Sequence, residues 1–448
     1  MTQPRAVGSA ICALALLIAP GFGSAHGRGP GGQPAAPCAL TASAPRRIAL
    51  ADGTTLTIDA SSMSRRGEDV LIAGTPTYRW PRGAVRGSAP LDGPSAFGVV
   101  RDERGRFALV PAPPGIPGAK HPRVVSAGDD GWHAVFVTGS PGTSTNALAF
   151  EDAEIWYGRY DGRRWRELRR IARARGAELL PGRSSELVVA GSGIAFAYAF
   201  ERRAPRGSNA ASGEGLVLLH RRGSEWREDT LPTWEAPRAV QLASDSSGVI
   251  VAAFAQSYFD RGRPHGPALF TARFDTRWSP SRLAFDAPPH YVAEPMLSGR
   301  VHAGSVITWR SSQPGGGIAS LEWGVFTRVY AVQHRGRVAV ASSMDRPAVL
   351  RVDGASAVWL ARDGDSRTAL RVFAAQDTTV YNLGAIQLPL DNLVTHAAPL
   401  ADGTILIVSG GLGRSPSDPP GSSYLTVAAV RCTGAQRSPR VVRIPSTH

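Results

Sequence analysis

The chain has 448 residues, of which 43% are apolar and 19% charged, with a formal net charge of +14 at pH 7. This balance is typical of a folded globular protein and excludes a disordered chain. The positive charge comes from arginines scattered along the chain, with Lys120 as the only lysine. A scattered distribution argues against a nucleic-acid groove, which needs a clustered basic surface.

The N-terminus has the organisation of a secretory signal peptide. Arg5 precedes an apolar run over residues 11–19, and small residues end at Ala25, which predicts cleavage after about that residue. The run is too short to span a bilayer, and no later stretch is long enough, so we expect no transmembrane segment in the mature chain. Residues 26–37 form a Gly/Pro-rich linker, and residues 38–448 are expected to be a single secreted or periplasmic domain.

Two cysteines remain after removal of the signal peptide. Cys38 and Cys432 lie at the two ends of the expected domain. An oxidising compartment favours one disulfide between them, and no metal-type spacing competes. The alternative is two free buried thiols.

A glycine followed by a run of strand-forming residues recurs along the chain. The seven positions are Gly67, Gly131, Gly193, Gly248, Gly304, Gly354 and Gly403. Their separations run from 64 residues (67 to 131) down to 49 (354 to 403), which are lengths typical of four-stranded propeller blades. Three of these glycines follow Asp, a pair that favours the tight turn between two strands.

A second pair of strands follows each of these runs. Trp165, Trp226 and Trp278 occupy equivalent places in three successive repeats, where we expect them to pack between blades. In the last repeat, residues 424–432 and 440–444 are predicted as the outer strands. The fold predicted is an all-β, seven-bladed β-propeller closed by the N- to C-terminal disulfide. Six blades plus an N-terminal hairpin is the alternative, because residues 51–59 resemble residues 401–408.

Long loops are predicted after the second strand of each repeat, whereas the turns after the first and third strands are short. The predicted loops are residues 139–152, 201–215, 256–267, 311–320, 362–368 and 410–423. Elaborate loops on one face of a rigid scaffold are typical of a binding surface. The candidate ligand-binding residues at their edges are Glu201, Arg202, Tyr258, Asp260, Arg261, Trp309, Arg310, Arg362 and Asp363.

Motifs for common catalytic chemistries are absent from the sequence. It has no Gly-x-Ser-x-Gly elbow, no phosphate-binding loop and no His-Glu-x-x-His helix. The histidines lack metal-ligand spacing, and His133 is expected in the core or pore. No cofactor is expected. Asp363 and Asp365 offer loop oxygens for a structural Ca²⁺, although an ordinary turn is the preferred interpretation.

The repeat pattern resembles that of the sialidase-like propellers, which carry Ser-x-Asp-x-Gly-x-Thr-Trp boxes in successive blades. The nearest stretches are residues 126–132 (SAGDDGW) and 244–248 (SDSSG), in which the Asp is displaced and the Thr-Trp ending is missing. The resemblance implies a propeller fold and a glycoside-cleaving activity. Its arginine triad, Tyr–Glu pair and general acid are not matched residue by residue, and Tyr258 beside Asp260, with Arg261 and Arg310, is the cluster to test.

Three functional hypotheses follow from the sequence. The preferred one is an exported, monomeric, non-catalytic propeller that binds a glycan or an extracellular or envelope protein through the long loops. The first alternative is a glycoside hydrolase of the sialidase-like type, which requires paired carboxylates, or Tyr with Glu, near arginines. The second alternative is a scaffold protein in an envelope assembly.

Overall fold

The structure is a computed structural model, and the chain divides into residues 1–35 and residues 36–448. All residues that the structure describes lie in the second part: 39–43, 46–47, 55–80, 97–101, 106–116, 119–128, 131–141, 150–174, 178–179, 185–202, 213–286, 291–297, 301–312, 319–340, 348–353, 356–362, 369–376, 379–387, 392–399, 405–412 and 423–433. Among these residues, no helix has the length and apolar character needed to cross a membrane.

The described elements are antiparallel β-strands that follow one another in groups of four, here called four-strand units. Two short strands, β1 (Ala39–Ala42) and β2 (Arg46–Arg47), come first. The first unit contains β3 (Thr55–Arg66), β4 (Asp69–Trp80), β5 (Phe97–Arg101) and β6 (Phe107–Leu109). The second contains β7 (Lys120–Ser126), β8 (Trp132–Pro141), β9 (Phe150–Tyr160) and β10 (Trp165–Arg173). After β11 (Glu178–Leu179), the third contains β12 (Ser185–Ala190), β13 (Gly193–Arg202), β14 (Gly213–Arg222) and β15 (Glu225–Pro232).

The remaining units follow the same order. One contains β16 (Arg238–Ser244), β17 (Ile250–Asp260), β18 (Arg263–Phe274) and β19 (Arg282–Phe285). The next contains β20 (Tyr291–Met296), β21 (Val306–Ser312), β22 (Ala319–Phe326) and β23 (Val332–Val340). Then come β24 (Ala348–Asp353), β25 (Ser356–Arg362), β26 (Ala369–Gln376) and β27 (Thr379–Gln387), and finally β28 (Asn392–Pro399), β29 (Ile405–Leu412) and β30 (Ser423–Thr433).

The last sheet is completed by the N-terminus of the described chain. Strand β1 pairs antiparallel with β30, with Leu40 opposite Cys432, and β2 pairs with β30 farther along. The sequence predicted an outer strand at residues 440–444, which lie outside the described residues, and β1 takes the place beside β30 instead. Cys38 also lies outside the described residues, so the predicted disulfide is not described.

The first strands of successive units lie against one another. Contacts join β3 to β7, β7 to β12, β12 to β16, β16 to β20 and β24 to β28, and β28 contacts β3 again. Short strand β11 pairs with both β9 and β13 and thereby joins the second and third units into one nine-stranded sheet. The all-β architecture of antiparallel four-stranded sheets is consistent with a β-propeller.

Glycines lie at the turns between first and second strands in the units whose turns are described. Of the three glycines predicted in Asp-Gly turns, Gly131 is confirmed, and Gly354 and Gly403 lie outside the described residues. Gly67, Gly131, Gly248 and Gly304 all have positive φ, the region that a side chain disfavours. In the third unit Gly193 begins β13, as expected of a glycine that precedes a strand, and Gly191 supplies the positive φ of 58° in the turn.

The hydrophobic core lies between consecutive four-strand units. One buried cluster joins Leu218 of β14 to Phe254 of β17, and another joins Val135 of β8 to Phe196 of β13. The sheets are apolar on the faces that meet, so burial of these faces holds neighbouring units together.

The three repeated tryptophans each contact the preceding unit, which confirms their predicted packing role. Nε1 of Trp165 donates to the Pro111 carbonyl at 2.8 Å, and Nε1 of Trp278 donates to the Asp229 carbonyl at 3.4 Å. The ring of Trp226 lies 5.3 Å from that of Tyr157.

Candidate functional site

The structure places the predicted ligand-binding residues at different depths. Glu201 and Arg202 end β13, Tyr258 and Asp260 end β17, Arg261 begins the following turn, Trp309 and Arg310 lie in β21, and Arg362 ends β25. Asp363, like the predicted calcium ligand Asp365, lies outside the described residues. The prediction of Trp309 as a surface ligand residue was wrong, because its side chain is fully buried, with its ring centroid 4.8 Å from that of Phe285.

Residues 256–267, predicted as a long loop, form a hairpin instead. Strand β17 runs to Asp260 and β18 begins at Arg263, so Arg261 and Gly262 alone make the turn, both with positive φ. Of the other predicted loops, residues 142–149, 203–212, 313–318, 363–368 and 413–422 lie outside the described residues.

Tyr258 has a different acidic partner from the one predicted. Its hydroxyl donates to Oδ2 of Asp286, while Asp260 is exposed at the end of β17. Burial, followed by the hydrogen bond and charge of Asp286, raises the pKa of Tyr258 to about 12. The phenol is therefore protonated at neutral pH, which makes it a hydrogen-bond donor and a poor nucleophile.

Two large aromatic side chains are exposed beside this hairpin. Trp234, in the segment between β15 and β16, is 66% exposed, and Phe259 of β17 is 51% exposed. Their ring centroids are 5.0 Å apart with an interplanar angle of 59°. Apolar rings held together in solvent are the usual mark of a contact surface.

Three glutamates lie next to the aromatic pair. Glu201 of β13 is directly opposite Glu214 of β14, and Oε1 of Glu235 accepts from the Ser257 backbone N–H at 2.7 Å. The backbone of Glu214 accepts from the Thr233 N–H at 3.2 Å, so the glutamate row adjoins the segment that carries Trp234.

Burial and neighbouring carboxylates raise the pKa of Glu214. Burial is the largest cause, the charges of Glu201 and Glu235 add to it, and a hydrogen bond from the Ala236 N–H lowers the pKa. We call Trp234, Phe259, Glu201, Glu214 and Glu235 the aromatic-acidic patch. All five lie where second strands end, third strands begin or one unit leads to the next.

Sequence reasoning found only part of this patch. It named Glu201, and missed the other four residues. The available signal was the Thr-Trp-Glu sequence at 233–235, an aromatic residue in a short connection between units where no apolar side chain is needed for packing.

A second feature is a cavity of about 810 Å³ near the turns that follow first and third strands. None of the predicted ligand residues lines it. We call it the polar cavity. The ionisable and amide side chains that line it are those of His133, Arg159, Glu167, Glu186, Arg221 and Gln241.

Tyr157 organises one wall of the polar cavity. Nη1 of Arg221 donates to the Tyr157 hydroxyl oxygen at 3.0 Å, and that oxygen lies 2.6 Å from Nδ1 of His133. Burial, followed by the charge of Glu167, raises the pKa of Tyr157 to about 12, although Arg221 and Arg159 lower it. The phenol is therefore protonated at neutral pH, and its oxygen forms hydrogen bonds with both Arg221 and His133.

The opposite wall is formed by the first strands of neighbouring units. Oε2 of Glu186 accepts from Nε2 of Gln241 at 3.0 Å, and Oε1 accepts from the Leu187 N–H at 3.0 Å. Burial raises the pKa of Glu186, and nearby Arg123 lowers it. Within the described part of the chain, no cluster of three or more His, Cys, Asp or Glu residues is placed to hold a metal ion.

Comparison with known proteins gives no family. No family model and no curated protein matches the chain. Solved structures with a similar arrangement include a protein of unknown function from Dyadobacter fermentans, with 9% identity over 88% of this chain and 99% of that chain and a TM-score of 0.45.

Two further similar structures are enzymes. A PL25 ulvan lyase has 9% identity over 85% of this chain and 95% of that chain, with a TM-score of 0.46. An α-L-arabinanase from Penicillium chrysogenum has 12% identity over 68% of this chain and 92% of that chain, with a TM-score of 0.37. Values at this level assign neither a family nor an activity to this chain.

Proposed function

We propose that this protein is an exported β-propeller that binds a glycan through the aromatic-acidic patch. The observation that carries the proposal is the exposed Trp234–Phe259 ring pair beside the carboxylates of Glu201, Glu214 and Glu235. A sugar ring has an apolar C–H face and a rim of hydroxyl groups. The aromatic rings can pack against the C–H face, and the carboxylates, as strong acceptors, can accept hydrogen bonds from the hydroxyl groups.

The test is a glycan array with the mature chain and the variant Trp234→Ala. Loss of the stacking ring should reduce binding about tenfold or more, because aromatic contacts dominate small interfaces. Val329→Ala is the matched control: Val329 is also 66% exposed but lies in a turn after a third strand, so binding should be unchanged. Absence of binding to any glycan, or equal effects of the two substitutions, would reject the proposal and favour a protein partner or the envelope scaffold.

A second candidate function is glycoside hydrolysis, the alternative implied by the sialidase-like resemblance. It is favoured by the Glu201–Glu214 pair, because two adjacent carboxyls with one raised pKa are the pattern of an acid and its partner. Release of reducing ends from a glycan bound by the array would support it. Glu214→Gln should abolish that release, while the exposed control Glu225→Gln should retain it.

We also propose the finer features predicted from the sequence. Seven groups of four strands, the last completed by β1, favour seven blades. The pairing of Leu40 with Cys432 brings the chain two residues after Cys38 beside Cys432, which favours the disulfide. Export to the periplasm or the medium through residues 1–25, and a monomeric state, remain proposals from the sequence.

A further inference from the structure

The polar cavity is lined by two arginines, Arg159 and Arg221, and two glutamates, Glu167 and Glu186, which differ in how their charges are already paired. Oε2 of Glu167 lies 3.3 Å from Nη1 of Arg221, and Oε1 of Glu167 lies 3.5 Å from Nε of Arg169. Both oxygens of this carboxylate therefore already have a guanidinium partner.

Glu186 is also satisfied from within the protein. Its two oxygens accept from Gln241 and from the Leu187 N–H, and the charge of Arg123 lowers its pKa against the effect of burial. Glu167 and Glu186 thus already have partners, which include Arg169 and Arg123 from outside the cavity lining.

Arg159 is the arginine of the cavity lining whose Nε is buried and has no hydrogen-bond partner within the described residues; Arg169 shares this property but lies outside the lining. A buried guanidinium N–H with no acceptor costs free energy, and an arriving anion would remove that cost. Arg221 lines the same cavity, is fixed by its bond to Tyr157, and can share the anion.

We propose that the polar cavity binds the oxyanion of an acidic saccharide, a carboxylate or a sulfate, with Arg159 as its main contact and Arg221 as its second. The neutral polar groups of Gln241 and Ser192 at the cavity wall suit the hydroxyl groups of the same ligand. This site is separate from the aromatic-acidic patch and does not depend on it.

Calorimetric titration with three probes tests the site: an oligogalacturonate, a sulfated oligosaccharide and a neutral malto-oligosaccharide. At least one anionic probe should bind the wild type, and the one that binds shows which oxyanion the cavity prefers. Arg159→Gln should weaken that binding about tenfold or more, because a charge-assisted contact is lost. The control Arg163→Gln makes the same charge change on an exposed turn residue and should leave binding unchanged.

A second variant guards against misfolding of Arg159→Gln. Ser192 is exposed and lines the cavity, so Ser192→Glu adds a carboxylate there without disturbing the core, and should repel the anionic probe, whereas Ser192→Gln should not. Failure of both anionic probes to bind, or equal weakening by Arg159→Gln and Arg163→Gln, would overturn the proposal. Trp234→Ala should not affect this binding, which separates the result from the proposed function.

Discussion

Tyr157 connects the core to the polar cavity through one hydroxyl group. Its ring packs against Trp226, and its hydroxyl is bonded to His133 and Arg221. A single buried oxygen therefore orders side chains from three strands of two units. The sequence pattern predicts that His133 lies in a strand. It does not predict that β8, β9 and β14 come together at this hydroxyl, because that depends on how two units pack.

We expect Tyr157→Phe to lower the free energy of unfolding by about 1–3 kcal/mol, because Arg221 and His133 lose a buried partner. The raised pKa of Tyr157 gives the sign of a pH effect. Its contribution is fully present below the unfolded pKa near 10 and is lost as pH rises through about 12. Urea unfolding at several pH values should show a smaller alkaline loss in Tyr157→Phe than in the wild type.

Tyr291→Phe is the control, because Tyr291 is 41% exposed on β20. Equal effects of the two substitutions on stability would contradict a structural role for the Tyr157 hydroxyl.

At the scale of elements, the β17–β18 hairpin presents Phe259 to solvent. Asp260 lies opposite Arg263 in the strand register, and the ring centroids of Tyr258 and His265 are stacked 4.7 Å apart. These favourable cross-strand neighbours extend the hairpin beyond the core. The Gly, Pro and Arg content of residues 256–267 predicted a loop. Composition was misleading because these pairs form only once both strands are aligned.

The two turn residues of this hairpin should respond differently to substitution. Gly262 has φ of 76° with open space around it, so Gly262→Ala should cost about 1 kcal/mol from backbone strain alone. Arg261 has φ of 50°, so Arg261→Gly should be close to neutral, relief of strain being offset by greater freedom of the unfolded chain. Thermal unfolding of both variants measures the difference, and a stabilised Gly262→Ala would contradict the turn geometry.

At the scale of the whole molecule, the sequence predicted the repeat and its turn glycines because tight turns and alternating strands are local features. From Cys38 and Cys432 it predicted that the first strand and the last repeat meet, but it placed the last outer strand at residues 440–444. The pairing of β1 with β30 joins residues about 390 positions apart and leaves no local signal. Four of the five residues of the aromatic-acidic patch were missed for the same reason, since Glu201, Glu235 and Phe259 meet only after two units have packed.

Closure by β1 predicts that removal of residues 39–47 exposes an unpaired edge of β30 and promotes aggregation. Light scattering and thermal unfolding should show this against the intact mature chain.

If Cys38 and Cys432 are joined, reductant should lower the free energy of unfolding by up to about 5 kcal/mol on the chain-entropy model. An unchanged midpoint would contradict the proposed bond.

Hydrogen–deuterium exchange with and without the tightest-binding array glycan tests the central claim most directly, because it reports where the ligand lies. We expect slower exchange in the segments around residues 232–238 and 257–265, which carry Trp234, Glu235 and Phe259. Unchanged exchange in both segments under saturating glycan, or protection confined to the turns near residues 127–131 and 191–193, would contradict binding at the aromatic-acidic patch.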